Sequence, residues 1–474
     1  MKKHLLINGD WVKASEYRDL YAPYNGDKLA EVAFANEREI NLAIDAADHA
    51  TKSMAQLTAF QRAQILMKLV ELLKGRRHEC ATIIAKESAK PIKAAIVEVD
   101  RTIMTYTFAA EEAKRINGET VPMDAAPGGE NRIAFTLRQP LGIIAAITPF
   151  NFPMNLVAHK IGPAIAAGNT IILKPASQTP LSSIYLGELL MECGLPPGAL
   201  NIVTGSGAKI GEKLVTDNRI KAITFTGSPQ IGKKIKNQAG LKRVTLELGS
   251  NSALLIDKNV NLTDFIGRCV NGSFSFAGQV CISLQRIYIH EEIYDQFVTS
   301  FLEETNKLKI GNPLDHTTDI SSLISEQDVE RSLKWINEAV VAGAQLVIGG
   351  QRRANNMLEP TVLLNVPSTE KVSCQEVFAP VVMINKISSM EEGITEVNES
   401  KYGLQAGIFT NDLQLALKAA DQLEVGGVMI NDIPTFRVDH MPYGGVKESG
   451  IGKEGIKYAI DEMLETKLVC FRKI

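Results

Sequence analysis

From residue 143 onward, short apolar runs alternate with segments long enough to be helices. Residues 143–148, 170–174, 200–203 and 222–226 are strand-sized. Helical stretches of roughly 20 residues separate them, the pattern of a doubly wound parallel sheet. After Glu247 the alternation resumes. Strands are expected at 253–256, 286–290, 381–384, 407–409 and 427–430, with helices such as 293–308 and 329–342 between them. The N-terminal part reads differently. Residues 1–35 are short strands and turns, and apolar positions at three- and four-residue steps (Ile65, Leu66, Leu69, Val70, Leu73) belong to helices over 40–52, 60–77 and 94–116. Residues 118–138 are broken by Gly118, Pro122, Pro127, Gly128 and Gly129 and end in the alternating run 132–138, a half-exposed strand that serves as linker or arm.

A chain of 474 residues exceeds one hydrophobic core, so two or three domains are expected. The net charge of −3 comes without a basic stripe, which excludes a dedicated nucleic-acid binder; Lys233-Lys234 and Arg352-Arg353 read as solvated faces. The start, Met1 to Asp10, lacks the apolar core of a signal peptide, and no run is long enough to span a membrane. The six cysteines are scattered, with no Cys-x-x-Cys pair and no histidine at metal spacing. Neither a disulfide scaffold nor a metal site is expected, and a reducing cytoplasm fits.

Three stretches carry chemistry. Phe274-Ser275-Phe276-Ala277-Gly278-Gln279-Val280-Cys281 presents a thiol after a small-residue turn, where Gly278 lets the backbone approach a ligand closely. Thr245-Leu246-Glu247-Leu248-Gly249-Ser250-Asn251 ends an apolar strand on a carboxylate. Thr148-Pro149-Phe150-Asn151-Phe152-Pro153 pins an amide between prolines. A thiol, a carboxylate and an amide are the parts needed to make and hydrolyse a thioester. Lys174-Pro175 ends another strand, and Thr226-Gly227-Ser228 precedes a helix start, with Ser228 expected as its cap and the N-terminus suited to phosphate. Asn151, Lys174 and residues 226–228 all fall at strand carboxyl ends, where doubly wound sheets bind ligands.

These blocks resemble the aldehyde dehydrogenase family over nearly the whole chain. The matching stretches are Pro149-Phe150-Asn151-Phe152-Pro153, Ala167-Gly168-Asn169 with Lys174-Pro175, Phe225-Thr226-Gly227-Ser228, Glu247-Leu248-Gly249, Gly278-Gln279-Val280-Cys281, Glu376-Val377-Phe378-Ala379-Pro380 and Pro442-Tyr443-Gly444-Gly445, in the family's order. The resemblance implies an α/β fold with two doubly wound domains and a β oligomerisation arm. The nucleotide-binding domain would cover 1–117 and 139–247, the catalytic domain 248–444, and the arm and C-terminal tail 118–138 and 445–474. Cys281 would attack an aldehyde carbonyl, with the Asn151 amide and the Cys281 backbone N–H holding the oxyanion. Hydride transfer to a nicotinamide would leave a thioester, which water activated by Glu247 would hydrolyse. Lys174 and Glu376 would hold the cofactor's ribose hydroxyls, Phe378 the nicotinamide, and Gly227 and Ser228 the pyrophosphate. Thr148, Pro149, Phe150, Ile231 and Leu248 would complete the cofactor site. Ser177 stands where NAD-specific members often carry a glutamate, so NADP should be accepted as well as NAD.

For the substrate, the resemblance points to Arg101, to Val280 and Ile282 beside the nucleophile, and to Phe436 and Arg437 before Pro442. Arg101 and Arg437 either meet an anionic tail on a short aldehyde or pair with a neighbouring carboxylate such as Glu98 or Asp439. Val280 is not the arginine of some members acting on phosphorylated aldehydes. The loop is most similar to those of lactaldehyde-type and phosphonoacetaldehyde dehydrogenases, with succinate-semialdehyde-type and broad-specificity enzymes as alternatives. A coenzyme A-acylating enzyme would generally lack Glu247, and a non-catalytic homologue would not need Asn151, Glu247 and Cys281 together. A cofactor-free thiol hydrolase would leave the nucleotide-binding blocks without a use. A homodimer or homotetramer, with the final strand extending a neighbour's sheet, is implied as well.

Overall fold

The structure, a computed structural model, describes residues 1–473. Its first large sheet has eight strands, ordered Gly450–Ile451, Arg243–Glu247, Ile220–Thr226, Ile143–Ile147, Thr170–Lys174, Leu200–Ile202, Leu5–Ile7, Asp10–Val12. The middle five are parallel, and the outer three add antiparallel. The central strands are buried on both faces, which is why they read as continuous apolar runs rather than alternating ones. One face packs on the helices Ala59–Gly75, Arg77–Ser88, Ile92–Glu112 and Asn155–Ala167, the other on Glu37–Gln56 and Pro229–Gln238.

The second sheet has seven strands, ordered Gln345–Ile348, Thr361–Leu364, Val381–Ile387, Arg286–His290, Ala253–Ile256, Gln405–Phe409, Gly427–Ile430, all parallel except at the first pairing. It has a core of its own. A third sheet joins Leu464–Arg472 to Arg132–Pro140 antiparallel, from Leu464 opposite Pro140 to Arg472 opposite Arg132. Of residues 445–474, expected as arm and tail, only this strand pairs with the arm. Gly450 and Ile451 instead bond to the free edge that Glu247 and Leu246 offer, and Ile456 and Ile460 enter the first core.

Helix boundaries follow capping chemistry. Asn36 with Glu39 and Thr58 with Gln61 form capping boxes that start the first two long helices. Helix Asn155–Ala167 has no cap of its own. Its exposed N–H groups are met from another helix: Glu98 Oε1 accepts from Met154 N at 2.9 Å and Asn155 N at 3.2 Å. The other Glu98 oxygen pairs with Lys90, whose ammonium donates to the Asn151 carbonyl at 2.7 Å. Lys90 and Glu98 are both fully buried. This pair clamps the turn that carries Asn151.

Lys90→Met should therefore leave a buried carboxylate uncompensated and lower stability by roughly 3–5 kcal/mol. Removing both charges in Lys90→Met/Glu98→Met should recover part of that loss in chemical denaturation. A single variant as stable as the parent protein contradicts the clamp.

Candidate active site

The register of the first sheet sets one edge of the site. Ile147 lies opposite Lys174, Phe225 opposite Ile147, and Thr226 opposite Glu247, so four parallel strands finish level with one another. Glu247 is buried, and neither carboxylate oxygen has a hydrogen-bond partner. Burial, reinforced by the nearby Glu454, pushes its carboxyl well above the usual range, against the pull of Arg437, Lys160 and Lys453. A side chain at Gly444, where φ is +159°, would sit 2.7 Å from Glu247 Oε1, so the loop closes over the carboxylate only because that residue is glycine.

The thiol comes from the turn that leads into strand Arg286–His290 of the second sheet. Phe276, Ala277 and Gly278 hold φ of 49°, 52° and 69°, a strained turn that ends the helix before Cys281. The expectation that Gly278 admits a ligand is corrected: a Cβ there would lie 2.1 Å from the Ala379 carbonyl oxygen, so its smallness seats the turn on the 376–380 loop. Cys281 is partly exposed to a cleft of about 800 Å³. Burial pushes its thiol up to about 11, while the Tyr443 hydroxyl, 2.9 Å from Sγ, and Arg437 pull it down. Asn151 Nδ2 donates to the Gln279 carbonyl at 3.0 Å, and its Oδ1 is buried without a partner. Amide, carboxylate and thiol, from three separate stretches of the chain, are thus joined through Gln279 and through Tyr443-Gly444. Among the described residues no group of His, Cys, Asp or Glu is placed to hold a metal ion.

Beside this centre lies a second set of polar groups without sufficient partners. Thr148 Oγ1 is buried and unpaired. Lys174 Nζ reaches only the Pro175 carbonyl, at 3.2 Å, and burial pushes its ammonium down to about 8. Glu376 Oε1 accepts from Ser250 N at 3.0 Å, and burial pushes its carboxyl up to about 7. Phe378, at φ 52°, meets the Phe150 ring edge-on at 5.7 Å, with Pro149 at the half-buried end of the same turn. Helix Pro229–Gln238 begins after Gly227 and Ser228. Ser228 occupies the cap position and is exposed, yet makes no capping bond. Ile231 is half-exposed on that helix, and Leu248 packs into the space left by Gly232. Ser177 is exposed, its hydroxyl 3.4 Å from the Gly205 carbonyl. Two hydroxyl-binding groups with a single hydrogen bond each, an unpaired Thr148 hydroxyl, an open helix N-terminus and an exposed apolar side chain fit a dinucleotide.

Residues 11–469 match the model of the aldehyde dehydrogenase family. The chain belongs to that family. It is 48% identical over 465 residues to 3-sulfolactaldehyde dehydrogenase of Priestia aryabhattai, covering 98% of this chain and 97% of the relative. It is 42% identical over 469 residues to lactaldehyde dehydrogenase of Methanococcus aeolicus, covering 98% and 99%. The crystal structure of aldehyde dehydrogenase 21 from Physcomitrella patens with the reaction product succinate superposes with a TM-score of 0.97 at 43% identity, covering 100% of this chain and 98% of that one. Solved neighbours hold NADP in some cases and NAD+ in others. The protein is an NAD(P)-dependent aldehyde oxidoreductase.

Within this aldehyde dehydrogenase, the two arginines singled out from sequence differ in setting. Arg101 donates from Nε and Nη2 to Asp439 at 3.1 and 2.7 Å, and its side chain lines the cleft. Asp439 also accepts from Asn155 Nδ2 at 3.0 Å and contacts His159 Nε2 at 2.8 Å. Arg437 is buried more deeply and pairs with Glu454 at 2.9 Å. Val280, Ile282 and Phe436 line the same cleft, with Ile282 and Val280 packed beside Tyr443. Sequence reasoning missed Lys160, Glu454, Tyr443 and the Lys90–Glu98 pair. Glu98, expected only as a partner for Arg101 or Arg437, pairs with Lys90 instead; Lys90, Lys160 and Glu454 carry no local signal, and only the tertiary fold buries them.

Glu376 gives a pH test. From its usual 4.5 up to about 7 the folded protein keeps a proton that the unfolded chain has lost, so its contribution to stability falls as pH rises through that window. Glu376→Gln should raise the melting temperature at pH 8 and do so far less at pH 5. Equal shifts at both pH values contradict the assignment.

Proposed function

We propose that the protein oxidises a three- or four-carbon aldehyde bearing an anionic tail, of the sulfolactaldehyde and succinate-semialdehyde class, to its carboxylic acid. Cys281 Sγ is the nucleophile toward the aldehyde carbon. Asn151 Nδ2, which has a second N–H beyond the one given to Gln279, and the Cys281 backbone N–H stabilise the oxyanion that forms. NAD(P)+, when bound, would supply the hydride acceptor, and Lys174, Glu376, Phe378 and the start of helix Pro229–Gln238 would hold it. Glu247, unpaired and raised by burial, takes the proton of the water that hydrolyses the thioester on Cys281. Ser177 brings no negative charge against a 2′-phosphate, which supports NADP as well as NAD.

The substrate reading is carried by Arg101. Its fork to Asp439 uses Nε and Nη2, leaving Nη1 with no acceptor among the described residues, on the wall of the cleft that holds Cys281. An oriented guanidinium with free donors suits a carboxylate or sulfonate. The sulfolactaldehyde and succinate named for the relatives are both anionic. A second reading, a neutral hydroxyaldehyde as in the lactaldehyde dehydrogenases, is favoured by the carboxylate partners that Arg101, Arg437, Lys90 and Arg268 all carry.

For the assembly, we propose that the arm pairs with a second copy of the chain. Leu464–Arg472 is an edge strand, and Ile133, Leu137, Leu468 and Phe471 on the arm are exposed apolar side chains. No helix among the described residues is long and apolar enough to cross a membrane. All six cysteines are free thiols, consistent with a reducing compartment such as the cytoplasm.

The test is NADPH formation with sulfolactaldehyde, succinate semialdehyde, lactaldehyde and butanal, comparing the parent protein with Arg101→Met. Loss of a charged hydrogen bond should lower kcat/KM about 10–100-fold for the two anionic aldehydes and leave the neutral ones within about threefold. A uniform loss, or a parent protein that favours butanal, returns Arg101 to a structural ion pair.

A further inference from the structure

Among the described residues the side chain of Cys281 has one hydrogen-bond partner, and it is neither Glu247 nor Asn151. It is the phenol of Tyr443, 2.9 Å from Sγ. Tyr443 is itself buried, and the Arg437 guanidinium lies over its ring, 3.6 Å from the centroid. Arg437 is fixed there by Glu454, at 2.9 Å, while its own Nε is buried without a partner. Nothing in the thioester chemistry described above requires a phenol at this point.

We propose that Tyr443, backed by Arg437, is a catalytic hydrogen-bond donor that holds Cys281 as its thiolate and receives it again when the thioester is cleaved. This rests on Cys281 being the nucleophile. A neutral thiol can donate to the phenol oxygen or accept from it. A thiolate has no proton to give, so on ionisation the phenol O–H must donate to sulfur. The S–H bond breaks, its proton passes to water in the cleft, and an O–H···S⁻ bond forms; no electrons are exchanged. The phenol stays protonated throughout, since burial and the facing thiol hold it far above its ordinary range. The cation over the ring draws density from the phenol and attracts the sulfur anion.

Three charged groups besides Tyr443 bear on the thiol, and Lys453 lies close to Glu247. Arg437 favours the thiolate, and Glu247 and Glu376 oppose it. Lys453 is engaged with the Gly444 carbonyl at 2.6 Å. Stabilising a thiolate also makes it a weaker nucleophile, so the two effects must be weighed. Below the thiol's midpoint, each unit of lowering raises the thiolate fraction tenfold and reduces its intrinsic reactivity only about threefold, so ionisation wins. The lower midpoint also makes sulfur a better leaving group when water attacks the thioester.

The experiment is the rate of Cys281 alkylation by iodoacetamide as a function of pH, followed by mass spectrometry of the Cys281 peptide in protein without aldehyde. Tyr443→Phe removes one oxygen and should shift the profile upward by about one unit, with alkylation at pH 7.5 slowed about threefold and that deficit shrinking toward high pH. Arg437→Gln, with the phenol retained, should shift the profile in the same direction. An unchanged profile in Tyr443→Phe, or faster alkylation at pH 7.5, overturns the proposal. Equal slowing at every pH marks a change of access and overturns it as well. Failure of the underlying assignment is read separately: protein fully alkylated at Cys281 that still oxidises aldehyde shows that Cys281 is not the nucleophile.

Discussion

A buried carboxylate without a hydrogen bond opposes folding, and Glu247 holds two such oxygens in the interior. The surrounding structure makes that arrangement tolerable. Burial keeps the group protonated more readily than an ordinary glutamate, and Lys160, Arg437 and Lys453 supply positive potential without bonding to it. Lys160 pairs instead with Glu454, and Arg437 with the other Glu454 oxygen. The result is a carboxyl group that is held in place by its strand and left free to exchange a proton. Such a group suits a base that acts on water.

The position of that carboxylate depends on register. The strands ending at Ile147, Lys174, Thr226 and Glu247 finish level, and a slip of one residue would turn each end side chain to the opposite face. The thiol faces it from a different sheet, so the active site is a joint between two cores. Gly444 is a contact at which that joint closes, and Gly278 seats the thiol's turn within the second core, each with a neighbouring oxygen close to where a Cβ would be. The Lys90–Glu98 pair does the corresponding work for Asn151, fixing the start of a helix that has no cap in its own sequence.

Much of this was legible in the sequence. The parallel strands announced themselves as short, doubly buried apolar runs, and the three groups of the thioester chemistry stood in recognisable local blocks. The helix Arg77–Ser88 was not among the expected ones, which ran over 60–77 and 94–116: Gly75 ends its predecessor and only Arg76 separates the two, but its buried face is mostly small (Cys80, Ala81, Ala85) and gives a weak apolar period. Gly278 was read as making room for a ligand, when the neighbour it accommodates is Ala379, a hundred residues away in sequence. Ser228 has the residue type of a cap and the position of one, but it is exposed and makes no capping bond. The network of Lys160, Glu454, Arg437 and Tyr443 gave no local signal. Charged residues on helices and loops look solvated until tertiary packing removes the solvent.

The central claim is that Cys281 carries the acyl group and Glu247 activates the water that removes it. The direct measurement is the intact mass of Glu247→Gln protein, mixed with aldehyde and NADP+, quenched in acid and mapped by peptide. The expected result is an acyl adduct on the Cys281 peptide, approaching one per chain, with NADPH formed in a matching burst and little turnover afterwards. Full steady-state turnover without an adduct, or an adduct on another residue, would contradict it.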